Sequence, residues 1–397
     1  MPKPAAFAKP LIITKVEIIE FEYTVKNLST GRTGLPFYQP GPGTPQRRFA
    51  VRIATDQGVV GEYVTARGRA LPIGAQVAYL APLLLGRNAL ERERIHYELR
   101  QTTRHLDGTG VGPLDVALWD LAGKFYRCSI ATLLGGWRTR LPVYASTMAG
   151  DRARGLDSPK AYADYAERCR TLGYRAYKMH VWPHGEVAEI VETVLAVRKQ
   201  VGAEMDLMLD GAGHLATMAN AVKVGRACDE AGYVWFEDPL PPGGISIHAH
   251  RKLRELLKTP LLVTEHIRTL ETRTDFIAHH GTDFVRVDPD YDGGITGALK
   301  AVHVAEGFGL DIEIHCAGPA QRQLMAAVRN SNYYEGGISH PKAATSNPPV
   351  YLDGYSDELN AIDTDGCVPV PPGPGLGVRY DWAAIKKMTT AKKEFSK

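Results

Sequence analysis

Three acidic residues at the ends of short apolar runs constrain this chain more than any other feature. LMLD ends at Asp210, YVWFE at Glu237 and LLVTE at Glu265, with separations of 27 and 28 residues. Each gap holds a loop, a helical pattern and another strand-like run, which is the size of one βα unit. In a barrel of parallel strands every C-terminal end opens on the same face, where active sites sit. Acids repeated at that period therefore converge. Three buried carboxylates repel one another and cannot all stay ionised without a cation between them. Oxygen donors with no cysteine among them favour Mg²⁺ over Zn²⁺.

Upstream of that repeat the pattern is different. Residues Ile12 to Tyr23 read as a strand, and a segment rich in Gly and Pro follows, TVKNLSTGRTGLPFYQPGPGTPQ, which reads as irregular. Phe49, Val51 and Ile53 then alternate with Arg48, Ala50 and Arg52. The turn signal Asp56-Gln57-Gly58 leads into VVGEYV, which predicts a hairpin. Leu114, Ala117, Leu118, Leu121, Ala122 and Phe125 form one helical stripe behind Pro113. From about residue 141 strands and helices alternate: VYAST, AYKMH, DLMLD, YVWFED, LLVTE, DFVRVD, DIEIH and NYYEG supply eight strands. The expected layout is an α+β capping domain over 1–140, a (β/α) barrel with an altered last helix over 141–340, and an irregular strap rich in Pro and Gly over 341–397 that returns to the cap.

Composition excludes several classes. A net charge of +3 across 397 residues gives no footprint for nucleic acid, and no apolar run has the length of a membrane span. Five cysteines without CxxC spacing suit a reducing compartment and not a disulfide framework or a zinc site. The N-terminal residues lack an apolar core with a cleavage motif. These features predict a soluble cytoplasmic protein.

The mouths of the strands carry a reactive set. The second strand presents Lys178 and His180 on one side, because strand period is two. The third, fourth and fifth carry Asp210, Glu237 and Glu265, the sixth Asp288, the seventh His315, and the eighth Glu335. A lone lysine is ordinarily a surface residue, but Lys178 lies among apolar and aromatic strand neighbours. His315 with Asp288 on the adjacent strand reads as a dyad, in which the carboxylate sets the imidazole tautomer and raises its basicity. A divalent cation beside such bases stabilises the enediolate formed when a proton α to a carboxylate is removed.

The chain resembles the enolase superfamily, in its mandelate racemase and muconate-lactonizing subgroup and close to sugar-acid dehydratases. The resemblance spans nearly the whole length: DVALWDLAGKFYRCSIATLLGG, LGYRAYKMH, WFEDP, VTEH, VDPDYDGGIT and IHCAGPA. It implies a modified (β/α)7β TIM barrel under an N-terminal α+β capping domain, one Mg²⁺ per subunit held by Asp210, Glu237 and Glu265, Asp288–His315 as base or acid, and Glu335 hydrogen-bonded to the substrate carboxylate. It also implies two cap loops that close over substrate, at about 24–46 and after Val64, and a homo-oligomer. The sequence departs from the subgroup at the second strand, where Lys-x-Lys becomes Lys178-Met179-His180. Ala212 stands where Asn is common, with His214 beyond. Trp182, His214 and His266 lie within a few residues of the mouth and are candidate substrate contacts. His266 follows the expected ligand Glu265 and points away from it if the strand continues. His184 and Arg104 are further polar candidates.

The expected activity is a hydro-lyase: an Mg²⁺-dependent dehydratase of an aldonate or aldarate that yields a 2-keto-3-deoxy acid. The alternatives are a racemase or epimerase working through the same enediolate, and a non-catalytic barrel that binds metal or a sugar acid.

Overall fold

The structure, a computed structural model, describes residues 10–31, 34–66, 70–183 and 185–397. The cap begins with β1 (Ile13–Val25), a short hairpin of β2 (Leu28–Thr30) and β3 (Pro36–Tyr38), then β4 (Thr44–Thr55) and β5 (Val60–Val64). The small hairpin lies inside the segment expected to be irregular, and it pairs Leu28 with Tyr38 and Thr30 with Pro36. Strand β4 pairs antiparallel with both β1 and β5. Four helices follow: α1 (Ala70–Leu80), α2 (Arg92–Thr102), α3 (Val111–Tyr126) and α4 (Ile130–Leu133). The apolar stripe of α3 is buried against Phe49, Val51 and Ile53 of β4 in one continuous core. Its first turn approaches the barrel so closely that a Cβ on Gly112 would lie 2.2 Å from the Asp290 carbonyl oxygen. Only glycine permits that contact.

The barrel alternates β6 (Arg140–Ser146), α5 (Pro159–Thr171), β7 (Ala176–His180), α6 (Val187–Val201), β8 (Asp206–Asp210), α7 (Met218–Ala231), β9 (Trp235–Glu237), α8 (Ile247–Leu256), β10 (Leu261–Val263), α9 (Leu270–Ala278), β11 (Phe284–Val287), α10 (Gly294–Gly307), β12 (Asp311–Ile314), α11 (Pro319–Ala327) and β13 (Tyr334–Glu335). These eight strands run in parallel from β12 back to β6, and β13 pairs with β6 to bring the ends together. The ring is nearly closed, since Ile312 of β12 bridges to Ser331 just before β13. Side-chain caps start several of the helices, with Ser158, Thr217, Ser246 and Thr269 each accepting from the backbone amide three residues further on. This is the α/β barrel with an α+β cap that the strand period predicted.

The C-terminal segment is more regular than its Pro and Gly content suggests. After β14 (Cys367–Pro369), which pairs with β6, it forms α12 (Trp382–Met388) and β15 (Thr389–Ser396). Strand β15 becomes the edge of the cap sheet beside β1. Val350, Tyr380 and Ile385 bury the second face of that sheet against Phe21, Tyr23, Ala50 and Val64. A sheet covered on both faces buries residues on both phases of its alternation, so Arg48 of β4 is interior although it sits out of phase with Phe49 and Val51.

Candidate active site

In-register pairing sets the first layer of the site. His180, Asp210 and Glu237 are directly adjacent across β7, β8 and β9. Glu265 belongs to a different level: Leu262 is the residue paired with Glu237, and β10 stops at Val263. The equal sequence spacing of the acids thus conceals unequal strand lengths. Beyond the ends of β8, β9, β10 and β12 the backbone turns through left-handed conformations at Ala212, Asp238, Thr264 and Cys316, with φ of 45°, 36°, 90° and 71°. Such conformations are costly for residues other than glycine and gather where a site demands them. The turn at Thr264 ends the two-residue alternation, so His266 does not point away. Its Nε2 lies 3.7 Å from Glu265 Oε1 and 3.4 Å from Asp238 Oδ2.

The floor of the site is a buried lattice of charge. Lys178 Nζ lies 2.8 Å from Glu237 Oε2, 3.1 Å from Glu335 Oε1 and 3.4 Å from Asp210 Oδ2. Arg286, which sequence reasoning missed, sits beside it. Its Nη2 donates to Glu335 Oε2 at 2.8 Å and to the Tyr144 hydroxyl at 3.1 Å. Its Nε lies 2.9 Å from Glu237 Oε1, without hydrogen-bond alignment. A signal existed: Arg286 is two residues before Asp288 in an otherwise apolar strand, so it shares the inward face. Burial and Arg286 would lower the Lys178 pKa, but Glu237 and Glu335 carry it well above the ordinary lysine value. An ammonium so placed keeps its positive charge among these carboxylates. Glu335 is further held by the Ser146 hydroxyl at 3.1 Å and the Cys316 amide at 2.8 Å.

Above this floor stand two imidazoles. His315 Nδ1 donates to Asp288 Oδ2 at 2.5 Å, and its Nε2 lies 3.4 Å from Glu265 Oε1. Burial alone would lower the His315 pKa, but Cys316, Glu265 and Asp288 raise it well above the usual value. His180 donates Nδ1–H to the Thr147 carbonyl at 2.7 Å, which leaves Nε2, 3.0 Å from Asp210 Oδ2, as its exchangeable nitrogen. His180 and His315 line one cavity of about 810 Å³, together with Lys178, Asp210, Asp238, Glu265, His214, His266, Arg268 and Tyr291. The cap closes it with Thr30, Gly31, Gly34 to Pro36 and Thr44 to Arg48.

Two of the candidate substrate contacts fall elsewhere. Trp182 packs edge-on against Tyr162, its indole N–H donates to the Asp151 carbonyl at 3.0 Å, and it is not among the residues that line the cavity. Arg104 is exposed on the cap, where its Nε bonds His105. His184 and the residues 67–69, part of the second cap loop, lie outside the described residues.

The carboxylates test whether a divalent cation fits. Both oxygens of Asp238 are buried without a hydrogen-bond partner. Burial pushes that carboxyl well above its usual pKa, and Glu265, Glu237 and Asp210 push it further. Burial also raises Glu237, against the opposing pull of Arg286 and Lys178. Among the described residues, donor atoms of Asp238, Glu265 and His266 lie within 4.8 Å of one another, and those of Asp288, His315 and Cys316 form a second such group. Asp210 and Glu237 are drawn instead toward Lys178. A concentration of buried carboxylate oxygens that cannot satisfy one another is what a hard cation relieves. The residues fit a divalent metal.

Residues 161–384 match the family described as enolase C-terminal domain-like, and residues 42–135 match the mandelate racemase / muconate lactonizing enzyme N-terminal domain. The chain therefore belongs to the enolase superfamily, in its mandelate racemase / muconate lactonizing enzyme group. It is 28% identical to D-gluconate dehydratase of Thermoproteus tenax, across 85% of this chain and 69% of that protein. It is also 28% identical to D-galactarolactone cycloisomerase of Agrobacterium fabrum, across 84% of this chain and 89% of that protein. Among solved structures, D-glucarate dehydratase from Agrobacterium tumefaciens complexed with magnesium superposes with a TM-score of 0.82 at 27% identity, covering 96% of this chain and 100% of that one. No described helix is long and apolar enough to cross a membrane.

Proposed function

We propose that this chain is an Mg²⁺-dependent dehydratase of an acid sugar, a carbon–oxygen lyase that converts a 2,3-dihydroxy carboxylate into a 2-keto-3-deoxy acid. The observation that carries this reading is the pair of imidazoles, His180 and His315, facing one cavity beside the carboxylate cluster. Asp210, Glu237 and Glu265 would hold one Mg²⁺ per subunit, with Asp238 and His266 beside them. Bound there, the ion supplies Lewis acidity to a substrate carboxylate and charge compensation for the buried acids.

The protein's own residues account for the proton movements. An imidazole removes the proton from C2, and the C2–H electrons pass into the carboxylate to form an enediolate. The ammonium of Lys178 and the guanidinium of Arg286, both fixed before substrate arrives, offset that added charge at no reorganisation cost. His315, held by Asp288, delivers a proton to the 3-hydroxyl, whose C–O bond breaks to release water as C2=C3 forms. The resulting enol becomes the keto acid. Elimination on one face needs only His315; elimination across two faces uses His180 as the base.

An epimerase is the second reading, favoured by the placement of His180 on β7 and of His315 just past β12, well apart around the ring. A screen of purified protein with Mg²⁺ against aldonates and aldarates separates the two. Semicarbazide absorbance and a mass loss of one water support dehydration. Deuterium exchange at C2 in D₂O without loss of water supports epimerisation, and neither signal on any acid sugar rejects both.

A further inference from the structure

Among the side chains lining the cavity, Arg48 is in an unusual electrostatic position. It is only 3% exposed. Its Nη1 donates to the Arg47 carbonyl at 2.9 Å and its Nη2 to the Ser346 carbonyl at 3.0 Å, so both partners are neutral main-chain oxygens. Its Nε has no hydrogen-bond partner, and the group lies 5.7 Å from the centre of the Tyr23 ring. Among the described residues no carboxylate pairs with it. Neighbouring Arg47, by contrast, is exposed and bonded to Glu22 at 2.8 Å. Arg268, a third arginine in the cavity wall, is half-buried over Tyr291.

A guanidinium is always charged and offers five donors. Burying one against two carbonyls leaves most of its hydrogen-bonding capacity and all of its charge uncompensated, which is unfavourable unless an anion completes the set. Holding the Ser346 carbonyl does not require a charge, because the Tyr23 hydroxyl already donates to the same oxygen at 2.5 Å. The cavity therefore has two ends of different character. The barrel end carries the acids, the dyad and the ammonium, and the cap end carries Arg48, a residue of the same cavity wall whose buried guanidinium no described carboxylate pairs.

We infer that Arg48 binds a second carboxylate on the substrate, so that the acid sugar is a dicarboxylate (an aldarate) and not an aldonate. The inference rests on the reading that the cavity binds an acid sugar, and it deepens that reading. One carboxylate enters the reacting end. The other, at the far carbon, forms a planar two-point pair with the guanidinium, a geometry that a terminal hydroxymethyl group cannot reproduce.

The test uses the full-length protein with Mg²⁺ and matched pairs of acids that differ only at the terminal carbon, D-glucarate against D-gluconate and galactarate against D-galactonate. Dissociation constants are measured by calorimetry, so the readout does not require turnover. The expected result is a diacid preference of roughly 10- to 100-fold, in keeping with a charge-assisted pair. That preference disappears in Arg48→Met and partly survives in Arg48→Lys, while the monoacid constants move by less than about threefold. Equal affinity within the pairs overturns the inference, as does a preference for the monoacid or an equal loss of both ligands in Arg48→Met. If Arg48→Met does not fold, the parent protein still decides: diacid affinity should fall more steeply with KCl than monoacid affinity, and parallel slopes overturn the pairing. The two readings fail separately. Dehydration of aldonates with no diacid preference refutes the role of Arg48 alone, and tight diacid binding with no loss of water refutes the dehydratase alone.

Discussion

Arg286→Met is the substitution whose effect follows most directly from the structure. Arg286 is 1% exposed and spans Glu237 and Glu335, with Lys178 the other cation in the same lattice. Methionine fills much of the same volume but leaves three buried carboxylates, those of Asp210, Glu237 and Glu335, around one ammonium. Breaking a buried charge network by removing one partner costs about 3–5 kcal/mol. For 397 residues an unfolding entropy of about 2.1 cal/mol/K per residue gives roughly 0.8 kcal/mol per degree, so the melting temperature should fall by about 4–6 °C. Calorimetry in EDTA isolates the protein's own charges from any bound metal. Adding Glu335→Gln removes one of the stranded acids, and the double variant should recover about half of the loss, because directly paired groups are not additive. A single variant melting within about 1 °C of the parent, or a double variant equal to the sum of its parts, would show that Arg286 is not the counter-ion of Glu237 and Glu335.

Other expectations follow from the same geometry. His315→Asn should lower kcat by about 10²- to 10⁴-fold; C2 exchange in D₂O that survives in this variant assigns abstraction to His180, whereas exchange that survives only in His180→Asn assigns it to His315. Tyr63 donates to Asp290 Oδ1 at 2.5 Å, the Ala66 amide donates to Oδ2 at 3.0 Å, and the Asp290 amide donates to Asp288 Oδ1 at 2.8 Å, which ties a cap loop to the dyad. Tyr63→Phe should cost about 1–3 kcal/mol in urea unfolding and also depress turnover, and full activity at reduced stability would sever that link. Asp115, buried in α3 and bonded to Thr296 of α10, is raised to about 7 by burial, against the Thr296 hydrogen bonds and Arg92. The folded state therefore holds a proton that the unfolded state has released between about pH 4 and 7, and stability falls as pH rises through that window. Relative to the parent, Asp115→Asn should gain stability from pH 4.5 to 8, and a difference independent of pH would contradict the assignment.

Much of this architecture was legible in the chain before any coordinates. The alternation of apolar runs with amphipathic stripes is a local property, fixed by strand and helix periods, and it predicted the eight barrel strands and the face on which they open. Asp210, Glu237, Asp288, His315 and Glu335 were all placed by being last, or nearly last, on such runs. Reading failed where local rules stop. The direction of His266 depended on β10 ending two residues before Glu265, and short strands are poorly bounded by pattern alone. Trp182 is near the mouth in sequence, but its indole is committed to Asp151 and Tyr162. Strand β15 escaped notice because its exposed, charged sequence gains its place only by pairing with β1.

The sequence by itself thus determined the elements, their order and the kinds of group that meet at the barrel mouth, because those follow from the short-range chemistry of runs, turns and caps. Only the tertiary structure decided which of those groups neutralise one another. Lys178 as a triply paired cation, Arg286 as its companion, Asp238 without a hydrogen-bond partner and Arg48 in the wall at the cap end of the cavity all depend on residues brought together from distant parts of the chain. Electrostatic compensation is a property of distance in space, and burial multiplies its weight by excluding water, so no reading along the chain could apportion it.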